Sequence, residues 1–210
     1  MNKFPRSAYV HIPFCHRRCF YCDFAVIPLG NKVETLQGYG SKTVKEYLHF
    51  LYKEILSIKH KSSLSTIYVG GGTPSILDPQ QIKQLIDLFK ENYGIDYGAE
   101  ITMEVDPASF NLDDLHGFIN AGINRFSLGV QSFNNQILQK SGRRHLREDA
   151  EKSCLWLKKV YSAGLIKSWS LDLIQNLPLS GLREWKEDLK KAITFSPCLL
   201  YTSDAADDFT

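Results

Sequence analysis

The sequence predicts an α/β fold, a parallel sheet carrying helices, and three observations lead there. Short runs of β-branched and aromatic residues alternate with stretches of helical period along nearly the whole chain. Five such β-then-α units follow one another, and right-handed crossovers between them make the strands parallel. The polar clusters that could carry chemistry fall at or just after the strand runs, the carboxyl ends where parallel sheets place reactive groups. Closed or partly closed barrels and open doubly wound sheets both satisfy this pattern.

The first strand is read at Ala8-Tyr9-Val10-His11-Ile12, and the next helix repeats Val44, Tyr47, Leu48, Leu51 and Ile55 on one face. Thr66-Ile67-Tyr68-Val69 makes the second strand and runs into Gly70-Gly71-Gly72-Thr73-Pro74. Asp78 is placed to cap a helix with Pro79 in its first position, and Ile82, Leu85, Ile86 and Phe89 form the stripe. Glu100 to Val105 is the third strand. Asn111 caps the helix bearing Leu112, Leu115, Phe118 and Ile119, and Gly122 offers left-handed backbone at its end. The fourth strand, Arg125 to Val130, precedes a helix of about 148–163 ending at Gly164. The fifth, Ser168 to Ile174, precedes a helix expected to turn Leu182, Trp185, Leu189 and Ile193 inward.

The chain has 210 residues, 43% hydrophobic and 23% charged, the balance of a globular domain that can bury a core without staples. A net charge of +2 with no long basic run gives no reason to expect nucleic acid. No apolar stretch approaches membrane-spanning length. The start, Met1-Asn2-Lys3-Phe4-Pro5, has no export signal, so the expectation is cytoplasmic, or an organelle if a targeting segment is missing. Five cysteines is an odd number and three fall within eight residues, which argues for a reducing compartment rather than a disulfide framework.

Those three are spaced Cys15-x3-Cys19-x2-Cys22, in the loop after the first strand. Three thiolates on one loop can bind three irons of a cubane and leave the fourth open. The alternatives are a zinc site with its fourth ligand elsewhere, or packed cysteines. Zinc knuckles usually show paired Cys-x2-Cys units, and no second pair exists in this chain.

Tyr9-Val10-His11-Ile12-Pro13-Phe14-Cys15 through Cys22-Asp23-Phe24 resembles the radical-SAM motif of the oxygen-independent coproporphyrinogen III oxidase-like family. Gly70-Gly71-Gly72-Thr73-Pro74-Ser75, Glu104-Val105-Asp106-Pro107, Gly129-Val130-Gln131-Ser132-Phe133 and Asp172-Leu173-Ile174 match it in order, over residues 7 to about 197. The resemblance implies a partial (β/α)6-type barrel and a [4Fe-4S] cluster on Cys15, Cys19 and Cys22. It further implies S-adenosylmethionine chelated to the open iron, one-electron cleavage to a 5′-deoxyadenosyl radical, and a flavodoxin or ferredoxin-type reductant.

The triple glycine is no phosphate loop, because the Gly-Lys-Ser/Thr ending is missing; it is either a tight turn or a place where backbone approaches a ligand. Glu104, at the end of the third strand, is either a ligand to a ribose hydroxyl or ammonium group, or a solvated charge. Asp172 sits in an apolar run, where a carboxylate is costly unless paired or bound. By resemblance, Gly71, Gly72 and Thr73 meet the methionyl amine, and Tyr9, Tyr21, Glu104, Gln131, Arg143 and Asp172 contact S-adenosylmethionine. His11 is read as packed or hydrogen-bonded, Cys154 as core, and Trp156, Trp169 and Trp185 as packing.

Two branches of the family remain: a haem chaperone, and a decarboxylase acting on coproporphyrinogen III in porphyrin biosynthesis. The decarboxylases follow the third cysteine with Gly-Cys and precede the motif with a long extension. Here Cys22 is followed by Asp23-Phe24 and only 14 residues precede Cys15, which favours the chaperone branch. Residues 1–197 are read as an incomplete core domain, without the C-terminal haem- or porphyrin-side domain. Residues 198–210, Cys198-Leu199-Leu200-Tyr201 onward, resemble one reading frame of a transposon-end sequencing adaptor and are read as non-native. Their first four residues are nonetheless apolar enough to take a sixth strand position.

Overall fold

A computed structural model describes residues 4–30, 39–58 and 62–204. Six strands form the main sheet: β1 (Ser7–Ile12), β4 (Leu64–Gly71), β5 (Ile95–Val105), β6 (Arg125–Gln131), β7 (Ser168–Gln175) and β8 (Leu199–Asp204). They pair in that order, and every pairing is parallel. Two short strands, β2 (Phe14–Cys15) and β3 (Ile27–Pro28), form a separate parallel pair. The order never reverses, so successive right-handed crossovers send their helices to the same side; a doubly wound sheet would need a reversal. The fold is therefore of the barrel type, with six strands rather than the five units read. The sixth is the run from Leu199, in register with β7 from Ser170↔Leu199 to Gln175↔Asp204.

The central strands β4 to β7 alternate with period two, and the two faces differ in chemistry. Ile67 and Val69, Ile101 and Met103, Phe126 and Leu128, and Trp169 and Leu171 are all buried in one core. That core also takes Leu48 of α1 (Tyr39–Ser57), Leu85 of α2 (Pro79–Asn92) and Phe118 of α3 (Leu112–Asn120). Leu157 of α5 (Arg147–Ser162) and Ala192 of α6 (Leu182–Phe195) complete it. Burying each large side chain contributes on the order of 1.5–3 kcal/mol, so this face holds the sheet to its helices. Residues at the alternate positions of these strands (Tyr68, Glu104, Ser127, Ser170, Asp172) point the other way and line a cleft. Parallel sheets with helices on both faces carry apolar residues on both. A polar second face marks one left open for something else.

Local signals act as read. Asp78 accepts Gln81 N–H and closes a capping box ahead of Pro79, Asn111 does the same for α3, and Gly122 takes φ of 108°. Cys154 and Trp169 are core, and Trp156 and Trp185 pack against it. One face was read wrongly. Leu182 and Ile193 of α6 are exposed, and Asp188, Ala192 and Phe195 are buried beside Trp185 and Leu189. The helix is rotated because Asp188 engages the turn after β6. Helix α4 (Asn135–Lys140), a 3-10 turn at Pro74–Ile76, β2 and β3 were too short to show a period, and β5 begins at Ile95 rather than Glu100. Among the described residues no helix is long and apolar enough to cross a membrane.

Gly117, inside α3, gives a test of helix–helix packing. A Cβ there would lie 2.6 Å from Cβ and Cγ of Pro79, a ring that cannot swing aside. Gly117→Ala gains about 1 kcal/mol of helix propensity but incurs about 1–3 kcal/mol of overpacking. A lowered urea midpoint is expected; a raised one would show that α2 and α3 are less tightly packed.

Candidate functional site

A cleft of about 640 Å³ opens over the polar face at the carboxyl ends of the strands, with the cysteine loop as its other wall. The loop is anchored at both ends. Ile27 N–H donates to Pro13 C=O (2.7 Å) and Leu29 N–H to Cys15 C=O (2.8 Å). At its centre Phe20 N–H donates to Ser141 C=O (3.0 Å), Cys22 N–H to Cys19 C=O (3.2 Å) and Arg18 Nε–H to Cys22 C=O (2.8 Å). Cys15, Cys19 and Cys22 are free, half-buried and all on the cleft wall. Burial first, and then neighbouring thiols, push the Cys15 and Cys22 thiols up. Thiolates gathered this way are stable only with a cation among them.

Among the described residues no three His, Cys, Asp or Glu side chains converge as a mononuclear metal site requires. A cubane makes no such demand, since each thiolate takes its own iron. The donor set, three soft sulfurs on a pinned loop beside an open cleft, fits that group. Gly72 makes room for it: a Cβ there would stand 2.9 Å from Cys15 Sγ and 2.7 Å from Phe14 O. Thr73 N–H donates to Phe14 C=O (2.8 Å) and its hydroxyl lies 3.5 Å from Cys15 Sγ.

Gly71 ends β4 at φ 115°, where a side chain would strike the His11 ring at 2.7 Å. Its N–H donates to Glu104 Oε2 (3.1 Å), while Tyr68 O–H donates to Oε1 (2.7 Å). Glu104 thus lies across two strand ends in the cleft, and burial pushes its carboxyl up. His11 Nε2 contacts Ala25 C=O at 3.1 Å, an acceptor, so Nε2 carries the proton and Nδ1 accepts Tyr9 O–H (3.1 Å). His11 is a hydrogen-bonded brace, as read. Tyr9 is exposed and stacks on Tyr68 at 6.0 Å, outside the cleft lining.

Further along, Ser170 O–H donates to Ser127 Oγ (2.9 Å) and Ser127 O–H to Asp172 (2.9 Å). Burial leads in pushing Asp172 up from 3.8 to about 6; Glu104 adds to it, and Ser127 and Arg125 oppose.

Arg143 is the hub of the opposite wall. Nη2 donates to Asp106 and to Gly129 C=O (2.8 Å), and Nη1 lies 3.6 Å from Cys19 Sγ and 3.5 Å from the Tyr21 hydroxyl. Burial opposes its charge, but Asp106 outweighs that and pushes its pKa up. Burial likewise pushes the Asp106 carboxyl up, and Arg143 with His145 brings it below its usual value. Burial and then Arg143 hold buried His145 down, at about 4. Its Nε2 therefore donates to Val130 C=O (3.0 Å) and its Nδ1 accepts from Arg143 (3.2 Å).

Of the residues singled out in the sequence, the cleft brings together Cys15, Cys19, Cys22, Tyr21, Gly71, Gly72, Thr73, Glu104, Gln131, Arg143 and Asp172. Tyr9 stands apart. Tyr68, Asp106, Ser127, Ser170 and His145 complete the hydrogen-bond network and were not singled out. For Tyr68, Ser127 and Ser170 the signal was present, as polar residues at every second position of apolar strands.

Residues 9–173 match the family described as the Radical SAM superfamily. The chain is 40% identical over 194 residues to "Heme chaperone HemW" of Synechocystis, covering 92% of this chain and 45% of that protein. It is 35% identical over 199 residues to the oxygen-independent coproporphyrinogen III oxidase of Salmonella typhimurium, covering 92% and 40%. The solved structure of coproporphyrinogen III oxidase HemN from Escherichia coli, titled a radical SAM enzyme, aligns with a TM-score of 0.81 at 32% identity, over 95% of this chain and 44% of that one. The chain spans less than half the length of these relatives.

The raised Asp172 pKa sets a pH test. The folded chain holds this proton more tightly than the unfolded chain, so the contribution favours folding below about pH 4 and is lost as pH rises through about 6. Asp172→Asn keeps an acceptor for Ser127 and cannot ionise. It should match the parent chain's stability near pH 4 and exceed it by about 1–3 kcal/mol at pH 7. A stability difference that is flat across this range would contradict the burial of Asp172.

Proposed function

This chain belongs to the radical SAM superfamily, whose domain implies a four-iron cluster and S-adenosylmethionine, and from that premise we propose that Cys15, Cys19 and Cys22 ligate one iron each. When bound, the reduced cluster supplies the electron that cleaves the sulfonium bond of S-adenosylmethionine. The chain's own residues bind and orient. Gly71, Gly72 and Thr73 let backbone approach the methionyl group beside Cys15. Glu104 and Asp172 offer acceptors to the ammonium and ribose hydroxyls, and two buried carboxylates favour a cationic ligand. Arg143, held charged by Asp106, faces the ligand's carboxylate, while Tyr21 and Gln131 border the nucleoside. Tyr9 acts through His11 and the loop that His11 braces. No ligand role is assigned to Leu199, Tyr201 or Ser203 of β8, because the run they belong to reads as adaptor.

The whole protein is proposed to be a haem chaperone that keeps the cluster and S-adenosylmethionine and delivers haem to target proteins in the cytoplasm, with a flavodoxin or ferredoxin-type reductant. Cys22-Asp23-Phe24 carries this reading, since the family's decarboxylases have Gly-Cys after the third cysteine; the 40% identity to HemW of Synechocystis supports it. The alternative, an oxygen-independent coproporphyrinogen III oxidase, is favoured by the likeness to HemN of Escherichia coli.

Anaerobic reconstitution should load about four irons per chain. Alanine at Cys15, Cys19 or Cys22 should abolish loading, whereas Cys154→Ala, in the core, should leave it intact. Stoichiometric zinc without visible absorption would overturn the cluster. For the branch, the protein extended to its relatives' length should pass haem to an acceptor and leave coproporphyrinogen III unchanged with S-adenosylmethionine and reductant present. Protoporphyrinogen formed in dependence on S-adenosylmethionine would instead establish the oxidase.

A further inference from the structure

The backbone at the end of β6 takes an unusual conformation in the cleft. Gln131 has φ of 67°, and Ser132 N–H donates to Val130 C=O (2.8 Å) across it, a γ-turn of the rare positive-φ kind. The β6–β7 register slips at the same point, between Gly129 and Gln131, and Gln131 lines the cleft. A non-glycine residue persists in this region only where its surroundings enforce it.

The enforcement comes from behind the sheet. Asp188 of α6, only 4% exposed, accepts Ser132 O–H (2.6 Å) and Phe133 N–H (2.8 Å). Ser132 Oγ in turn accepts Asn134 N–H (3.1 Å), so the three residues after Gln131 are tied in sequence. Phe195 of the same helix stacks on Phe133, with ring centroids 5.8 Å apart at 23°. Burying a carboxylate against two neutral donors is costly, and an apolar residue would serve this position better if packing were its only task. Burial duly pushes the Asp188 carboxyl up.

We infer that Asp188 is a positioning residue: from outside the cleft it holds the γ-turn and so fixes the Gln131 amide where the nucleoside binds. This rests on the reading of the cleft as the S-adenosylmethionine site, and two readouts separate the claims. In the ligand-free chain, Asp188→Asn should move the NMR backbone shifts of Gln131 out of the left-handed region and speed Ser132 amide exchange at least about tenfold. In calorimetric titration of the cluster-loaded chain with S-adenosylmethionine, Asp188→Asn and Gln131→Ala should each weaken binding about tenfold, and the double variant by little more than either. Should Asp188→Asn fail to fold, Ser132→Ala removes one of the two bonds and should show the same pattern at about threefold. An unmoved Gln131, additive losses, or a lower melting temperature with unchanged affinity would overturn the inference. If the parent chain binds no S-adenosylmethionine, the cleft's assignment fails, and the Gln131 shifts alone decide whether Asp188 holds the turn.

Discussion

A sheet wound in one direction sends its helices to one face, and that asymmetry decides where every other group in this chain can go. The helix side absorbs Ile67, Met103, Phe126, Leu128, Trp169 and Leu171 into one continuous core. The opposite side, apart from Ile174 packed on Ile137 of α4, is lined largely by polar groups, and it can tolerate them only if they are satisfied. In part they satisfy each other. Tyr68 and Gly71 satisfy Glu104, Ser170 and Ser127 lead to Asp172, and the Asp106–Arg143–His145 group closes the far wall.

This arrangement has a cost that packing alone does not explain. Glu104 and Asp172 both have their carboxyls pushed up by burial, and the hydrogen bonds each accepts come from neutral donors. Across the cleft, Arg143 is charged but compensated by Asp106, with one nitrogen left toward Cys19 and Tyr21. One wall therefore favours positive charge and the other can meet a carboxylate. A zwitterion with an added sulfonium charge matches both, and binding it would relieve what folding leaves unpaid.

The fold was legible because its signals are local and repeated: strand runs, helical stripes, Asp78 and Asn111 as caps, and the series of β-then-α units. Cys15, Cys19 and Cys22 were legible from spacing, and Asp172 from the cost of a carboxylate among leucines. Asp106 and His145 were not, because they meet only when the end of β5 is brought beside the chain after α4. Asp188 was hidden for a different reason. It lies in a helix whose leucines and isoleucine suggested another face, and its burial answers a turn 55 residues earlier. The polar residues at alternate positions of β4, β6 and β7, Thr66 and Tyr68, Arg125 and Ser127, and Ser170 and Asp172, would have identified the cleft side of each strand.

The central claim is that the polar face of the sheet and the cysteine loop together form one ligand site. The most direct test is a crystal structure of the anaerobically loaded chain with S-adenosylmethionine, with diffraction collected at the iron absorption edge. Anomalous density for four irons is predicted at Cys15, Cys19 and Cys22, with the nucleoside lying over Glu104, Gln131 and Asp172. Iron located away from the three cysteines, or the nucleoside bound on the helix side, would contradict it.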